Sequence, residues 1–443
     1  MTLTTGKPQF DKQGALDALE VKKGSVVIGG KGLDGGGQDY VDIISRATEL
    51  NGKINARSLS LTQGANRVSF MDGSVKAIAG EGVKPQLAVD TKALGGMYAN
   101  KIRLVATEDG VGVNVGSLAS DQRDITLSAN GKIQLGNVSA KTDLNVGAKQ
   151  VDIGKGATAK SGRDVTIVSG ALNNSGTLAA GRDMRLFNDN LTNTQATIQA
   201  NNNLWVQKDA AGNKGVKVEN RSGTIKTTAG DLVIRTEKLE NIRDKFVLEE
   251  KSISPDSVSI DRFLYDEETW NQYDEYNIGG TTTSNDIIEY YATFRDPSFR
   301  WFGHIDFKKS SLVNTGRYIN RIIQDAPESR IQSGRHAYLS STELLNRESV
   351  ITAAQNLILT GRMLSVRTTL QAEGNSYTQF EPKTITPDFF SKQPSNYTTE
   401  YILYEKNNAA PQHRWLEQRY VASQISSGST LIADFNGSIT LDT

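Results

Sequence analysis

The chain has 443 residues, with 50 Lys and Arg against 50 Asp and Glu, 41 glycines and no cysteine. That composition excludes disulfides, thiolate metal sites and a cysteine nucleophile, and a formal net charge of zero offers no basic field for a dedicated nucleic-acid binder. No stretch approaches the roughly 18 consecutive apolar residues of a membrane span, and the first residues, MTLTTGKPQF, lack the basic and apolar regions of a signal peptide. Hydrophobic residues make up 37%; large apolar side chains are what is scarce, which suits a fold with a thin core.

Residues 1–90 are rich in strands and glycines but not cleanly periodic. Gly24-Ser-Val-Val-Ile28 reads as a strand closed by Gly29-Gly30, and the Gly32–Gly37 run as a loop. Tyr40–Asn51 alternates imperfectly. Leu59 and Leu61 then lead into a turn at Gly64-Ala-Asn66.

From about Ser120 to Ile234 one phrase returns: a Gly, Asn or Asp turn, then an alternating apolar run. Asp124, Asp143, Asp164, Asp183 and Asn203 mark it, at steps of 19, 21, 19 and 20 residues. A fixed period near twenty is the signature of a solenoid. In Asp164–Val168, Asp183–Phe187 and Asn203–Val206 every second side chain is apolar, the pattern of a strand with one buried face. A second short strand follows half a period later, as in Gly176–Ala179, Ala196–Gln199 and Gly223–Lys226. The Asn, Ser and Gly residues between, as in Leu172-Asn-Asn-Ser-Gly176, suit tight corners because Asn and Gly tolerate left-handed backbone angles. A unit of short strands buries its apolar face only by stacking on copies of itself. The expected fold is therefore all-β: a right-handed parallel β-helix of about 20 residues per coil, with two extra-helical insertions.

The grammar changes near Lys238. Residues 240–330 hold fourteen aromatics, from Phe246 to Tyr318, against two, Phe187 and Trp205, in 151–239; an insertion with its own strands is expected. Coil grammar resumes near 330, where His336 to Asn356 is again a step of 20. A second departure over 366–421 carries four of the nine prolines, and coils return at Ile425–Ile432. The expected boundaries are 1–90, 91–239, 240–329, 330–365, 366–421 and 422–443.

Three motifs carry a resemblance: Ser45-Arg46-Ala47 within YVDIISRATELNGKINARSLSLTQGANRV, Thr62–Asn66, and Leu94-Gly-Gly-Met-Tyr-Ala99 followed by Lys101–Val113. Together with the Gly-Arg-Asp and Leu-Asn-Asn-Ser-Gly phrases, residues 1–235 resemble filamentous haemagglutinins and contact-dependent inhibition exoproteins. Residues 1–90 resemble the carboxy-terminal part of their two-partner-secretion domain, and 91–239 their haemagglutinin repeats. The resemblance implies a secreted protein of the bacterial cell surface, an outer-membrane transporter of the two-partner kind as secretion partner, and a role in adhesion or in presenting a distal toxin. A host or neighbouring-cell receptor or glycan is the expected further partner. Such proteins begin with a signal peptide and an amino-proximal cap with Asn-Pro motifs; since Met1 is not preceded by these, the chain reads as a fragment.

Some β-helix proteins are polysaccharide lyases or hydrolases, which is the alternative reading. His304, His336 and His413 lie in different segments and read as turn or surface residues. The recurring Asp124, Asp143, Asp164 and Asp183 could stack into a carboxylate cluster, but corner chemistry, with Asp bonding its own backbone and Arg163 or Arg182 relieving repulsion, is the stronger reading. No catalytic residue, metal site or cofactor is expected, and the chain is read as not an enzyme. The acidic-aromatic run 261–276 is the one candidate recognition patch. Tyr265, Trp270, Tyr273, Tyr276, Arg300 and Trp301 are its expected contacts, since Trp, Tyr and Arg concentrate binding energy; sealing the insertion is the competing role for the same side chains.

Overall fold

The computed structural model describes residues 1–253, 275–284, 287–295, 311–388, 397–406 and 412–442, with the backbone alone for 275–284, 287–295, 311–315, 378–388 and 397–406. The chain divides into two units: Met1–Lys245 with Asp325–Thr369 and Val421–Thr443, and Phe246–Gln324 with Leu370–Tyr420.

The first unit is a parallel β-helix. Its long strands stack in parallel: Leu144–Ile153, Val165–Asn174 and Met184–Thr194, then Leu232–Ile242, Ala337–Arg347, Leu357–Arg367 and Leu431–Asp442. Between Met184–Thr194 and Leu232–Ile242 the coil uses two shorter strands, Leu204–Gln207 and Gly215–Arg221, parted by a loop at Lys208–Lys214. A second column is made of four-residue strands, from Thr158–Ser161 through Thr177–Ala180, Thr197–Ala200 and Thr224–Thr227 to Arg330–Ser333, Val350–Ala353 and Gln424–Ser427.

Period-two alternation turns one side chain of each pair inward, and stacking places like on like. One interior column reads Leu144, Val165, Met184, Leu204, Leu232, Ala337 and Leu357, all fully buried. The same register crosses the first departure, since Leu232 pairs Ala337 directly. The apolar core is one continuous cluster from Ile28 to Leu364.

The turn marks form a column of their own. The amide after each mark bonds the carbonyl of the next: Ile125 to Asp143, Leu144 to Asp164, Val165 to Asp183, Met184 to Asn203, Leu204 to Asp231, Leu232 to His336 and Ala337 to Asn356, all within 2.8–3.0 Å. The corner asparagines behave differently from expectation. They do not take left-handed angles; among the described residues the positive φ of a non-glycine falls on Gln195, Ser222 and Glu348, at 48°, 48° and 44°. Asn174, Asn193, Asn220, Asn241 and Asn346 point inward instead, each at most 1% exposed. Each of the first four donates from Nδ2 to the Oδ1 of the next at 2.8–2.9 Å. Backbone carbonyls of the corners take the second amide proton, as Ala196 does from Asn193 and Gly223 from Asn220. An amide can both donate and accept along the stack, so a polar column satisfies itself inside an apolar core.

Residues 1–90 add what periodicity did not reveal, an antiparallel sheet of Lys7–Phe10, Leu16–Val21, Asn66–Ser69 and Val75–Ala77. Leu19, Val21, Ile44 and Val68 form its small core. These hairpins interrupt the coils, which is why the period is blurred there. The second unit is a seven-stranded sheet to which both departures contribute: Ser311–Asp325 pairs antiparallel with Thr369–Asp388, and Glu275–Ser284 pairs with Ile287–Arg295, which pairs with Tyr397–Lys406.

Replacing Asn220 by Ala breaks the column in its middle and strands a buried donor and acceptor. Equilibrium denaturation should show a loss of about 2–4 kcal/mol, since each unsatisfied buried group costs about 1–3 kcal/mol. Val168→Ala, at a half-exposed outward position, should change stability by less than about 0.5 kcal/mol.

Candidate functional site: the polar interior of the amino-terminal coils

Two of the three resemblance motifs meet inside the first coils. Val41–Ser45 and Ala47–Leu50 are strands broken at Arg46, and Lys53–Gln63 runs parallel to the first, with Ser45 opposite Gln63. Alternation continues the inward face from Ile43 to Ser45 and from Leu61 to Gln63, so polar side chains occupy core positions. Ser45, Gln63 and Asn66 are all 0% exposed and Thr48 is 2% exposed. They are satisfied by one another. Ser45 Oγ and Thr48 Oγ1 donate to Gln63 Oε1 at 3.0 and 2.8 Å. Gln63 Nε2 donates to the Ile43 carbonyl at 3.2 Å, and Asn66 Nδ2 to the Gln63 carbonyl at 2.9 Å. Thr107 Oγ1 closes the cluster on Asn66 Oδ1 at 2.5 Å. Gly64, between them, has φ +110°, a conformation side-chain-bearing residues rarely adopt; a Cβ there would also fall 2.5 Å from Thr107 Oγ1.

Arg46 turns the other way. Its Nε and Nη2 each lie 3.0 Å from a Glu108 carboxylate oxygen, and its Nη1 reaches the Glu81 carbonyl. The side chains of Arg46 and Glu108 are 7% and 12% exposed. The hydrogen bond to Glu108 is the main cause that raises the guanidinium pKa above its ordinary value. One residue thus fastens the 78–84 loop and the Thr107–Glu108 turn to the second coil. The third motif stays outside this cluster: Met97 and Ala99 are core, while Leu94 is 78% exposed. Sequence reading missed the cluster because its residues are polar at inward positions; the only trace is Ser45 and Gln63 where the period-two pattern calls for apolar residues.

The repeat carboxylates are separated and paired. Asp143 accepts from Arg163, with Nε at 2.8 Å, Asp164 from Arg182 at 2.7 Å through both nitrogens, and Asp231 from Arg335 at 2.6 and 2.7 Å. Asp183 accepts from Asn202 at 2.8 Å. The backbone amides they hold are not their own, as expected from corner chemistry, but those of the coil above: Asp164, Asp183 and Asn203 for Asp143, Asp164 and Asp183. The relief by Arg163 and Arg182 is as expected. Those arginine hydrogen bonds are the main cause that lowers the Asp143, Asp164 and Asp231 pKa values from 3.8. Among the described residues no group of three or more His, Cys, Asp or Glu is placed to hold a metal, and no helix is long and apolar enough to cross a membrane.

Of the expected recognition contacts, Tyr265, Trp270, Tyr273, Arg300 and Trp301 lie outside the described residues, as does His304; the backbone of Tyr276 pairs with Phe294. His336 accepts the Asn356 amide at 3.2 Å through Nδ1, in the first unit. In the second unit His413 stacks on Tyr318 with ring centroids 4.4 Å apart.

The interior just described lies in residues 1–135, which match the family model described as the TPS secretion domain. This part of the chain is similar to the two-partner-secretion exoproteins, the class that includes filamentous haemagglutinins and contact-dependent inhibition proteins. It is 48% identical over 204 residues to the 16S rRNA endonuclease CdiA of Enterobacter cloacae subsp. cloacae, an overlap of 46% of this chain and 6% of that protein. It is 41% identical over 246 residues to Toxin CdiA of Escherichia coli, covering 51% of this chain and 8% of that one. The chain therefore spans less than a tenth of the length of these relatives. A crystal structure of a filamentous hemagglutinin secretion domain is 25% identical, with TM-score 0.29, covering 42% of this chain and 56% of that one.

Arg46→Ala leaves the Glu108 carboxylate nearly buried without its partner. Thermal or chemical denaturation should show a loss of about 3–5 kcal/mol, with proteolytic cutting appearing first in the 78–84 loop. Acid should act through the arginine-paired aspartates. Their folded pKa values are depressed, so their contribution is present above the unfolded value of 3.8 and is lost as pH falls through the lower folded values. The denaturation midpoint should be flat above about pH 5 and fall below about pH 4. Asp164→Asn should lessen that fall; an unchanged slope would remove the column from the account of acid sensitivity.

Proposed function

We propose that the chain is a structural segment of a secreted bacterial surface exoprotein, exported by an outer-membrane transporter of the two-partner kind. Residues 1–90 serve as the carboxy-terminal part of the secretion domain, and 91–239, 330–365 and 422–443 as coils of a right-handed β-helix of about twenty residues per turn. The coils present adhesive or toxin-bearing regions of a longer protein away from the producing cell, toward a receptor or glycan on a host or neighbouring cell. The segments 240–329 and 366–421 are the part proposed to touch that surface. A structural role is favoured over glycoside hydrolysis by the repeat carboxylates, which among the described residues are tied to arginines one coil apart, whereas that reaction needs two carboxyl groups free and about 5–9 Å apart. The nuclease activities named for the relatives belong to those proteins.

The observation that carries the reading is the match of residues 1–135 to a secretion domain, continued without a break into the coils. Lys132–Ala140 straddles the end of the match and pairs with Gly112–Ser120 inside it and with Leu144–Ile153 and Thr158–Ser161 beyond it. The chain, expressed behind an export signal in cells with or without the transporter of the E. coli relative, should reach the medium only when the transporter is present. Equal amounts in both media, or none in either, would remove the proposal. Arg46→Ala should cut the secreted fraction several-fold while periplasmic levels hold.

A further inference from the structure

The outward face of three successive coils combines aromatic rings with a guanidinium that has no carboxylate. At the levels of Leu204–Gln207, Leu232–Ile242 and Ala337–Arg347, pairing sets Trp205, Val233 and Tyr338 one above another. Tyr338 is 38% exposed and Val233, between the two rings, is 8% exposed. Two residues further along the same strands stand Gln207, Arg235 and Ser340, about 6.6 Å from the first column. The outward Arg163, Arg182, Arg185 and Arg335 each lie within ion-pair distance of an aspartate. Arg235 pairs with no carboxylate of the described residues; its Nη1 donates to Gln207 Oε1 at 2.6 Å. Gln207, 5% exposed, is itself fixed by donating from Nε2 to the Asp209 carbonyl at 2.7 Å. That carbonyl belongs to the 208–214 loop, which is braced from within. Asp209 Oδ1 accepts from the amides of Ala211 and Asn213 at 3.0 and 3.3 Å, and Oδ2 from Asn213 Nδ2 at 2.8 Å. A guanidinium carries five N–H donors, so Arg235 is held at one nitrogen and offers the others. Lys214, at the end of the loop, donates to Thr342 Oγ1 at 3.4 Å and is a second cation on this side. The acids nearby are engaged: Glu237 accepts from Thr342, and Asp164 and Asp183 face Arg185.

We propose that this face binds an acidic saccharide, with a sugar ring against Tyr338 and Trp205 and its carboxylate on Arg235. A sugar ring presents C–H bonds on its faces, and these favour the negative face of an aromatic ring. A carboxylate takes two parallel N–H bonds from a guanidinium fork, which Lys cannot offer. The column spacing lets one sugar touch both columns. Trp205 and Tyr338, two coils apart, are about 9.6 Å from each other, so an oligosaccharide lying along the coil axis reaches both rings. Ser340 and Thr360, stacked outward above Arg235, supply hydroxyls for those of the sugar. Two rings beside hydroxyls and an open guanidinium make a face too polar and too narrow for an apolar protein surface. The inference deepens the glycan partner proposed above and rests on that reading for its setting, but it places recognition on the coils themselves.

Calorimetric titration of the purified full chain with sialyllactose and with tetragalacturonate tests this without any transporter, so its outcome is separate from that of the secretion experiment. At least one of the two acids should bind saturably, with a Kd of about 0.1–1 mM. Lactose and the methyl ester of tetragalacturonate, which lack the carboxylate, should bind at least about tenfold more weakly. Arg235→Gln and Tyr338→Ser should each weaken binding at least about tenfold with an unchanged circular dichroism spectrum. Arg235→Lys, which keeps the charge and loses the fork, should weaken it as well. Arg103→Gln, at an exposed outward position on a lower coil, should leave binding unchanged. No saturable heat from either acid up to about 5 mM would overturn the inference. So would equal binding of the acids and their neutral counterparts, or a loss in the Arg103 variant as large as in the Arg235 variant, which marks unspecific attraction.

Discussion

Every coil of the helix has to be finished by the coil above it. A parallel strand satisfies half of its backbone groups on one neighbour and half on the next, and its inward side chain gains burial only if a similar side chain sits on top. Register is therefore the constraint on which the fold depends. A slip of one residue would turn every inward side chain outward. The chain fixes register with three kinds of column: apolar residues such as Leu144, Val165 and Met184, the amide stack from Asn174 to Asn346, and the aspartates held by arginines of the coil above. The apolar column stabilises most but discriminates least, because neighbouring apolar positions are interchangeable. The amide column works the other way: displaced by one coil position it would leave several buried amides unsatisfied, at about 1–3 kcal/mol each.

The period was legible because corner residues and alternation recur together; the marks Asp143, Asp164 and Asp183 prove to be one stacked column. The same signal misled about what corner residues do. Asn and Asp favour turns locally, and that preference is all a single sequence exposes. In the structure the bonds run vertically, from Asn193 to Asn220 and from Asp164 to the Asp183 amide, between residues about one period apart. Local turn chemistry cannot forecast those contacts until the stacking is known. The polar interior at Ser45, Gln63 and Asn66 was hidden for a similar reason. Each residue alone reads as a loop or surface residue, and only the parallel pairing of Val41–Ser45 with Lys53–Gln63 brings them together. The antiparallel sheet of residues 7–77 joins hairpins distant in sequence, so no window of twenty residues contains it.

The place at which the coils are interrupted shows how the constraint is kept. Both departures leave from one corner, at levels separated by a single uninterrupted turn. The lower coil runs out past Asn241 and Ile242 and re-enters at Ser329; the middle coil turns through Arg347, Glu348 and Ser349; the upper runs out past Arg367 and re-enters at Ser423. A serine stands at the same point each time. Ser329 Oγ bonds the carbonyls of Asn220 and Ile242, and Ser423 Oγ those of Asn346 and Arg367. The Ser329 amide is taken by Ser349 Oγ and the Ser349 amide by Ser423 Oγ. At the upper break Ser423 Oγ both accepts from the Ser349 amide and donates to the Arg367 carbonyl, bridging two levels where the continuous peptide is lost.

Glu348 completes the corner. It is 1% exposed, with a φ of 44°, and its carboxylate accepts from Arg367 Nε and Thr369 Oγ1, both at 2.7 Å, where the upper departure begins. Its carbonyl accepts from Arg243 Nε at 2.9 Å, where the lower one begins. Arg243 also reaches Asp325 and the Ala326 carbonyl, where the lower departure returns. One buried residue on the intact turn thus fastens both exits of the coil. Removing the departures from the sequence would leave Asn241 stacked on Asn346 and Leu357 on Leu431 in the register already present. Within the first unit, Glu348 and Arg243 therefore tie the chain ends at both breaks to the turn between them.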